Sequence, residues 1–272
     1  MIRRIGKNLG LRVDAAPDAS TQLERDGYAV LRAVFDAGEI DAMRNEITHA
    51  FASTEPERGR LDRAEFRYEM LNRSAACQRA IGHRAVLDVI EPLLGEDCHV
   101  IANTAWWNPP TFVGGPWHCD AGPHIPRPPD VAWDERIPYP VFAIGAHLLL
   151  KDCPLACGPT AVVPGSHRSG RLAPRDRSED PMLSYDGRPP VLLTAAAGDV
   201  ALFVSDVWHR GTPADGGDGR MFLQVHYGRR DIAQRIRTTA DVNHLSPEAI
   251  ERAATVRERE LIGLHEPYFY DG

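Results

Sequence analysis

Long apolar runs are missing from this 272-residue chain. None approaches the roughly 18 residues that a membrane-spanning helix requires. The opening MIRRIGKNLG carries Arg3 and Arg4 with no apolar stretch behind them, so neither a secretory nor a twin-arginine signal is expected. A basic excess is missing too. Lys and Arg total 31 against 38 Asp and Glu, a net charge of −7, so no overall positive field draws the chain to nucleic acid. The small clusters RRIGK and GRR are expected to be solvated surface. Cysteines are few and irregularly spaced: Cys77, Cys98, Cys119, Cys153 and Cys157 form an odd set. CPLAC has three residues between its thiols and no second pair to complete a zinc site, so a reduced, cytoplasmic setting is expected. Repeats and low-complexity tracts are also absent.

The rest is an ordinary globular composition, long enough for one large domain with a sizeable core over 1–272. The first 20 residues are expected to be a loose arm. Residues 21–95 are expected to be mostly helical. Thr21-x-x-Glu24 resembles a capping box opening a short helix, and YAVLR (28–32) suggests a strand. Ile40, Met43, Ile47 and Phe51 recur at helical spacing, which predicts a helix over 37–54. A second helix is predicted over 75–95, ending at Gly95. After residue 96 the texture changes. CHVIANTAWW (98–107), VFAIGAHLLL (141–150), PVLLTA (190–195), DVALFV (199–204) and FLQVHY (222–227) are short β-rich runs separated by Gly, Pro and Asp. They predict a β body over 96–230. Ser246 and Pro247 open a final helix over 247–262. That helix, with the HEPYFYDG tail in the 231–272 region, offers a face for a second subunit. The Pro-rich stretch 121–140 is long enough to predict a lid.

GGPWHCDAGPH (114–124) holds the first chemical signal. On a strand, His118 and Asp120 at i and i+2 point to one face and can converge on a metal ion. A bare His-x-Asp is more often a surface pair beside a turn, so a third donor decides. Two His and one carboxylate with open positions make the facial triad of non-haem Fe(II) oxygenases. His209 stands out as the third donor. It follows the apolar strand GDVALFVSDVW and precedes the loop RGTPADGGDGR, the position ligands take in small β-barrels.

PWHCD, CGPTAVVPGSH, GDVALF and WHRGTPADGGDGR, with DGYAVLRAVFDAGEIDAMRNEI near the start, resemble the phytanoyl-CoA dioxygenase family of Fe(II)/2-oxoglutarate oxygenases. The resemblance runs from about residue 21 to 230, by the chain's own motifs. It implies a mainly β fold with flanking helices around a double-stranded β-helix, a cupin-like jelly roll. It implies that His118, Asp120 and His209 hold the iron. It implies that Arg220, eleven residues after His209, holds the far carboxylate of 2-oxoglutarate, where a planar guanidinium grips two oxygens and Lys does not. Where the family often has a small hydroxyl residue two after the distal His, this chain has Gly211 and then Thr212. Where many members have KPP, it has NPP, with Asn108 in place of Lys. Thr212 and Asn108 are therefore the expected further cosubstrate contacts. Cys119 alternates away from the metal and has no expected role.

The implied chemistry consumes O2 and 2-oxoglutarate, releases succinate and CO2, and hydroxylates an unactivated C–H of a small metabolite or natural-product intermediate. Asp120 argues against halogenation, since related halogenases carry Gly or Ala there. Desaturation, epoxidation and cyclisation use the same ligands and stay open. So do another metal enzyme on the same barrel and a non-enzymatic binding barrel. Trp107, Trp117, His124, Trp133, His147 and Gln224 are the candidate pocket residues.

Overall fold

The computed structural model describes residues 18–54, 64–120, 122–232 and 245–265. The expected arm, save its last three residues, and the tail beyond His265 lie outside the described residues.

The first helix, α1 (Ala19–Asp26), starts earlier than Thr21 suggested. The Asp18 carboxylate accepts from Thr21 N at 2.8 Å, so Asp18 is the cap and Thr21 is already inside. β1 (Tyr28–Leu31) follows the αL residue Gly27. α2 (Ala37–Ser53) lies where its periodicity predicts, with Asp36 and Glu39 forming a capping box and Ile40, Met43, Ile47 and Ala50 buried. β2 (Glu65–Tyr68) and α3 (Met70–Arg73) come next. The single helix predicted over 75–95 is two, α4 (Ala75–Ala80) and α5 (Arg84–Leu94). The Gly82 N–H closes a turn on Arg79 O, and His83 Nδ1 accepts from Ala85 N, starting a new helix. Gly95 ends α5 as expected, its N–H donating to Glu91 O.

The β body is β3 (His99–Asn108), β4 (Ala143–Leu149), β5 (Thr160–Val162), β6 (Val191–Leu192), β7 (Val200–Val204), β8 (His209–Gly211) and β9 (Arg220–Gly228). PVLLTA contributes only two ladder residues, while β2, β5 and β8 were not foreseen. The final helix is also two, α6 (Pro247–Arg252) and α7 (Val256–Leu261), because Thr255 and Glu258 form a second capping box.

The strands form two antiparallel sheets, β1-β7-β4-β9-β3-β2 and β6-β5-β8, which make a jelly-roll core. β1 and β2 edge the larger sheet, so the segment before residue 96 is part of the β structure as well as a helical layer. Alternation then sorts the side chains. Val200, Leu202 and Val204 of β7 join Ile144, Leu148, Leu223 and Tyr227 in a core shared with the helices, where Leu23, Ile47 and Ile90 are also buried. Ala201 and Phe203 face the other way and pack with Phe222, Leu149 and Val162 between the two sheets. The larger sheet is therefore covered on both faces, and its inner face is free to carry polar groups toward a cavity.

The GDVALF turn fastens the N-terminal segment to this sheet. Gly198 has φ +89°, and a Cβ there would lie 2.5 Å from Phe35 O, so the approach needs glycine. Asp199 accepts from Ala33 N at 2.8 Å, Arg32 Nη1 at 2.7 Å and Ala196 N at 2.9 Å. Burial pushes its pKa up, but the Ala33 N–H, Arg32 and the Ala196 N–H more than offset this and hold it below the usual value. Asp199→Ala is expected to cost about 1–3 kcal/mol, because two backbone N–H groups lose their acceptor. A carboxylate with a depressed folded pKa contributes stability above its unfolded value of about 3.9 and loses it as pH falls through the folded value. Urea unfolding of variant and wild type is thus expected to show the full gap at neutral pH and a narrowing gap in acid.

Candidate metal centre and its pocket

One antiparallel bridge brings the two predicted histidines together. His118 N donates to His209 O at 3.0 Å, and His209 N donates to His118 O at 2.9 Å. The two stretches repeat a pattern, PWH at 116–118 and VWH at 207–209. In each, alternation sends the Trp outward and the His inward. Trp117 and Trp208 pack in one outer cluster with Val163 and Leu183, and their indole N–H groups donate to Asp180 O at 2.7 Å and Arg171 O at 2.9 Å. In each, the His Nδ1 lies 2.9 Å from the carbonyl oxygen two residues back, Pro116 or Val207. A neutral imidazole that donates from Nδ1 keeps its Nε2 lone pair free to bind a metal. Asp120 follows at i+2, with its N–H on Ser205 O at 3.1 Å. Donor atoms of His118, Asp120 and His209 all lie within 4.8 Å of one another. Asp120 Oδ1 is 3.3 Å from His209 Nε2. Two imidazoles and one carboxylate at this spacing fit a divalent first-row metal and leave one side open.

The local electrostatics keep the carboxylate ionised. Burial raises the Asp120 pKa, yet the imidazoles of His209 and His226 beside it hold it well below the usual carboxylate range. His118 is the exposed member of the three. Desolvation by the surrounding wall and the neighbouring His209 push its pKa down to about 4, so it is a neutral donor at ordinary pH.

A second feature lies on β9. Arg220, Phe222 and Gln224 share its inner face and line a cavity of about 120 Å³ with the three donor residues. Arg220 is 4% exposed and has no acidic partner among the described residues. Neutral groups hold it instead. Its Nη1 donates to Thr160 Oγ1 at 2.9 Å, and Asn108, with its amide oxygen turned inward, accepts from Nη2 and Nε at 3.1 Å each. Phe222 packs on the guanidinium at 4.9 Å. A buried cation without a counter-charge is costly, and an anion in the cavity would compensate it.

The expected pocket residues divide. His147, Gln224 and Asn108 line the cavity. Burial and nearby Arg220 keep the His147 pKa well below normal, so it is a neutral member of the wall. Trp107 does not line it. Trp106, one residue earlier, has the inward parity, and its Nε1 donates to Gln224 Oε1 at 2.8 Å. Trp107 faces a separate cavity of about 850 Å³, where Lys151 lies over its ring. Trp117 is in the outer cluster. The Thr212 hydroxyl is turned away onto Pro159 O at 2.7 Å, and Thr160 supplies the hydroxyl in the cavity. His124 and Trp133 are not among the lining residues, and no residue of 122–140 lines the cavity. That loop is tied down: Asp206 accepts from His124 N at 3.0 Å and Tyr139 OH at 2.7 Å, and His124 Nδ1 also meets its carboxylate. Arg127 N donates to Gly170 O at 3.2 Å, and Tyr139 N to Glu24 Oε1 at 2.7 Å. His226, Trp106 and Thr160 were missed. The parity of β9 was the available signal for His226, since it extends Arg220, Phe222 and Gln224 by one more step of two.

Comparison with solved structures finds the same fold. The epimerase SnoN from nogalamycin biosynthesis, described as non-haem and α-ketoglutarate-dependent, superposes with a TM-score of 0.63 at 21% identity, covering 82% of this chain and 88% of its own. The carbocyclase SnoK from the same biosynthesis gives 0.63 at 19% identity, covering 87% and 95%. HygX from Streptomyces hygroscopicus, solved with nickel, 2-oxoglutarate and hygromycin B, gives 0.64 at 15% identity, covering 85% and 96%. No curated protein sequence matches the chain. The sequence model of the phytanoyl-CoA dioxygenase family matches residues 23–222, which is most of the chain, so the protein belongs to that family of iron- and 2-oxoglutarate-dependent enzymes.

Proposed function

We propose that His118, Asp120 and His209 hold iron(II), that Arg220 holds the distal carboxylate of 2-oxoglutarate, and that the enzyme hydroxylates an unactivated C–H of a small metabolite. The observation that carries this is the pairing, in one cavity, of an open three-donor set with a buried arginine that lacks an acidic partner. Iron(II) with 2-oxoglutarate and O2 supplies the oxidising power, with succinate and CO2 as co-products.

The chain's own residues supply placement and dryness. His118 and His209 present Nε2, held by the carbonyls on Nδ1. Arg220 offers a fork already oriented by Asn108 and Thr160, so little freedom is lost when a carboxylate docks. Trp106, Phe112 and Phe222 wall the cavity and limit water. The Trp106 bond to Gln224 Oε1 leaves the Gln224 amide N–H groups to the cavity. Asp120 occupies the carboxylate position, which supports hydroxylation or another non-halogenating oxidation.

The cavity, about 120 Å³, is small beside the roughly 300–1,000 Å³ of ordinary ligand pockets. It suits a compact dicarboxylate. The substrate then docks over the rim at Gly115 and Pro116, next to the exposed His118. Another oxidative outcome is the second reading, and the neighbours described as an epimerase and a carbocyclase favour it. On this reading, where the substrate rests at the rim decides the outcome. A cytoplasmic setting is supported by five unpaired cysteines. No helix among the described residues is long and apolar enough to cross a membrane.

Anaerobic titration with iron(II) and 2-oxoglutarate is expected to raise a weak visible charge-transfer band in the wild type and none in His209→Ala. Absence of the band from wild-type protein supplied with iron would refute the proposal. Arg220→Lys keeps the charge but loses the fork. It is expected to weaken 2-oxoglutarate about 10–100-fold, since a charged hydrogen bond contributes roughly 1.5–3 kcal/mol. Thr160→Val has the same shape without the acceptor for Arg220 Nη1. It is expected to lower stability in chemical unfolding by about 1–3 kcal/mol.

A further inference from the structure

His226 is buried on the inner face of β9 and lies outside the three-donor set. Its Nε2 is 2.8 Å from Asp120 Oδ2. The other carboxylate oxygen, Oδ1, is the one beside His209 Nε2. The carboxylate is thus divided, with one oxygen facing the donor set and the other taken by an imidazole on a different strand. The placement is built into the sheet. His226 pairs across from Gly145 on β4, and Phe203 carbons lie 2.7 Å from where a Gly145 Cβ would be. A side chain at 145 would force the Phe203 ring aside.

We infer that His226 is a positioning residue that confines Asp120 to one-oxygen ligation. This rests on the iron reading above. A carboxylate can bind a metal through one oxygen or two. Two-oxygen binding would consume a position that the facial arrangement keeps for cosubstrate and O2. A hydrogen bond from His226 Nε2–H to Oδ2 prevents the swing and fixes the direction of Oδ1. Partners of this kind typically change metal affinity about 10–100-fold when removed. His226 is not a fourth ligand on this view, because its Nε2 is spent on Asp120.

The test is metal binding, read without turnover. Metal-free wild type, His226→Phe and His226→Gln are titrated anaerobically with cobalt(II) and iron(II), and thermal unfolding of each metal-free protein is recorded. Phe keeps the bulk and loses the donor. Gln places an amide N–H at similar reach. The expected result is a dissociation constant raised about 10–100-fold in the Phe variant, with an altered cobalt spectrum. In the Gln variant, affinity and spectrum return close to wild type. Should the Phe variant fail to fold, the Gln variant decides alone: a wild-type cobalt spectrum supports the inference, and a lost one overturns it. Wild-type affinity and spectrum in the Phe variant also overturn it. If the wild type itself binds neither metal, the iron reading falls and the inference with it, an outcome distinct from equal binding by wild type and variant.

Discussion

The structure turns on one bridge two hydrogen bonds long. Between β3 and β4 the chain leaves the larger sheet for more than thirty residues, and the His118–His209 pairing, with Gly115 N donating to Gly211 O at 3.0 Å beside it, joins this excursion to the smaller sheet. The bridge sets the spacing of the two imidazoles and, by alternation, delivers Asp120 to the same side. It also places Trp117 and Trp208 together on the opposite side, where residues 166–185 cover them. Apolar packing outside and a cluster of three donor groups inside are two faces of one strand pairing.

Other parts of the fold reinforce that pairing from a distance. Ser166 Oγ accepts from Trp208 N at 2.8 Å, one residue before His209, and His167 Nε2 lies 2.9 Å from Glu24 O. The VPGSH stretch therefore ties the smaller sheet to α1. His167 is not among the three grouped donors, and burial lowers its pKa to about 4. Asp206 adds a further anchor by gathering both ends of the loop that follows Asp120. The length of the loop suggested a lid, while His124 and Tyr139 are spent on fixing the backbone that follows Asp120.

Much of this could be read in advance from periodicity and local chemistry. α2, β7 and β9 follow their apolar spacing, and His118, Asp120, His209 and Arg220 stand in the order that the family motifs imply. What could not be read depends on contacts between distant segments. Nothing local distinguishes Trp106 from Trp107, because the inward parity of β3 is set by its register with β9. Thr160 outranks Thr212 only because β5 lies beside Arg220 in space. The breaks at Gly82 and Ala253 were hidden by apolar periodicity that continues through them, while a His ring and a second capping box restarted the helices.

The buried guanidinium of Arg220 has a consequence for folding itself. The fold takes this cation out of water on neutral acceptors, Asn108 and Thr160, with the Cys153 thiol alongside. These groups form a provisional solvation shell inside protein. A carboxylate docked there would recover part of the electrostatic cost of burying the charge. Binding of such an anion to the folded protein alone would add to the stability of the surrounding roll. Substitutions at Asn108 or Thr160 would therefore act on the fold as well as on a bound anion.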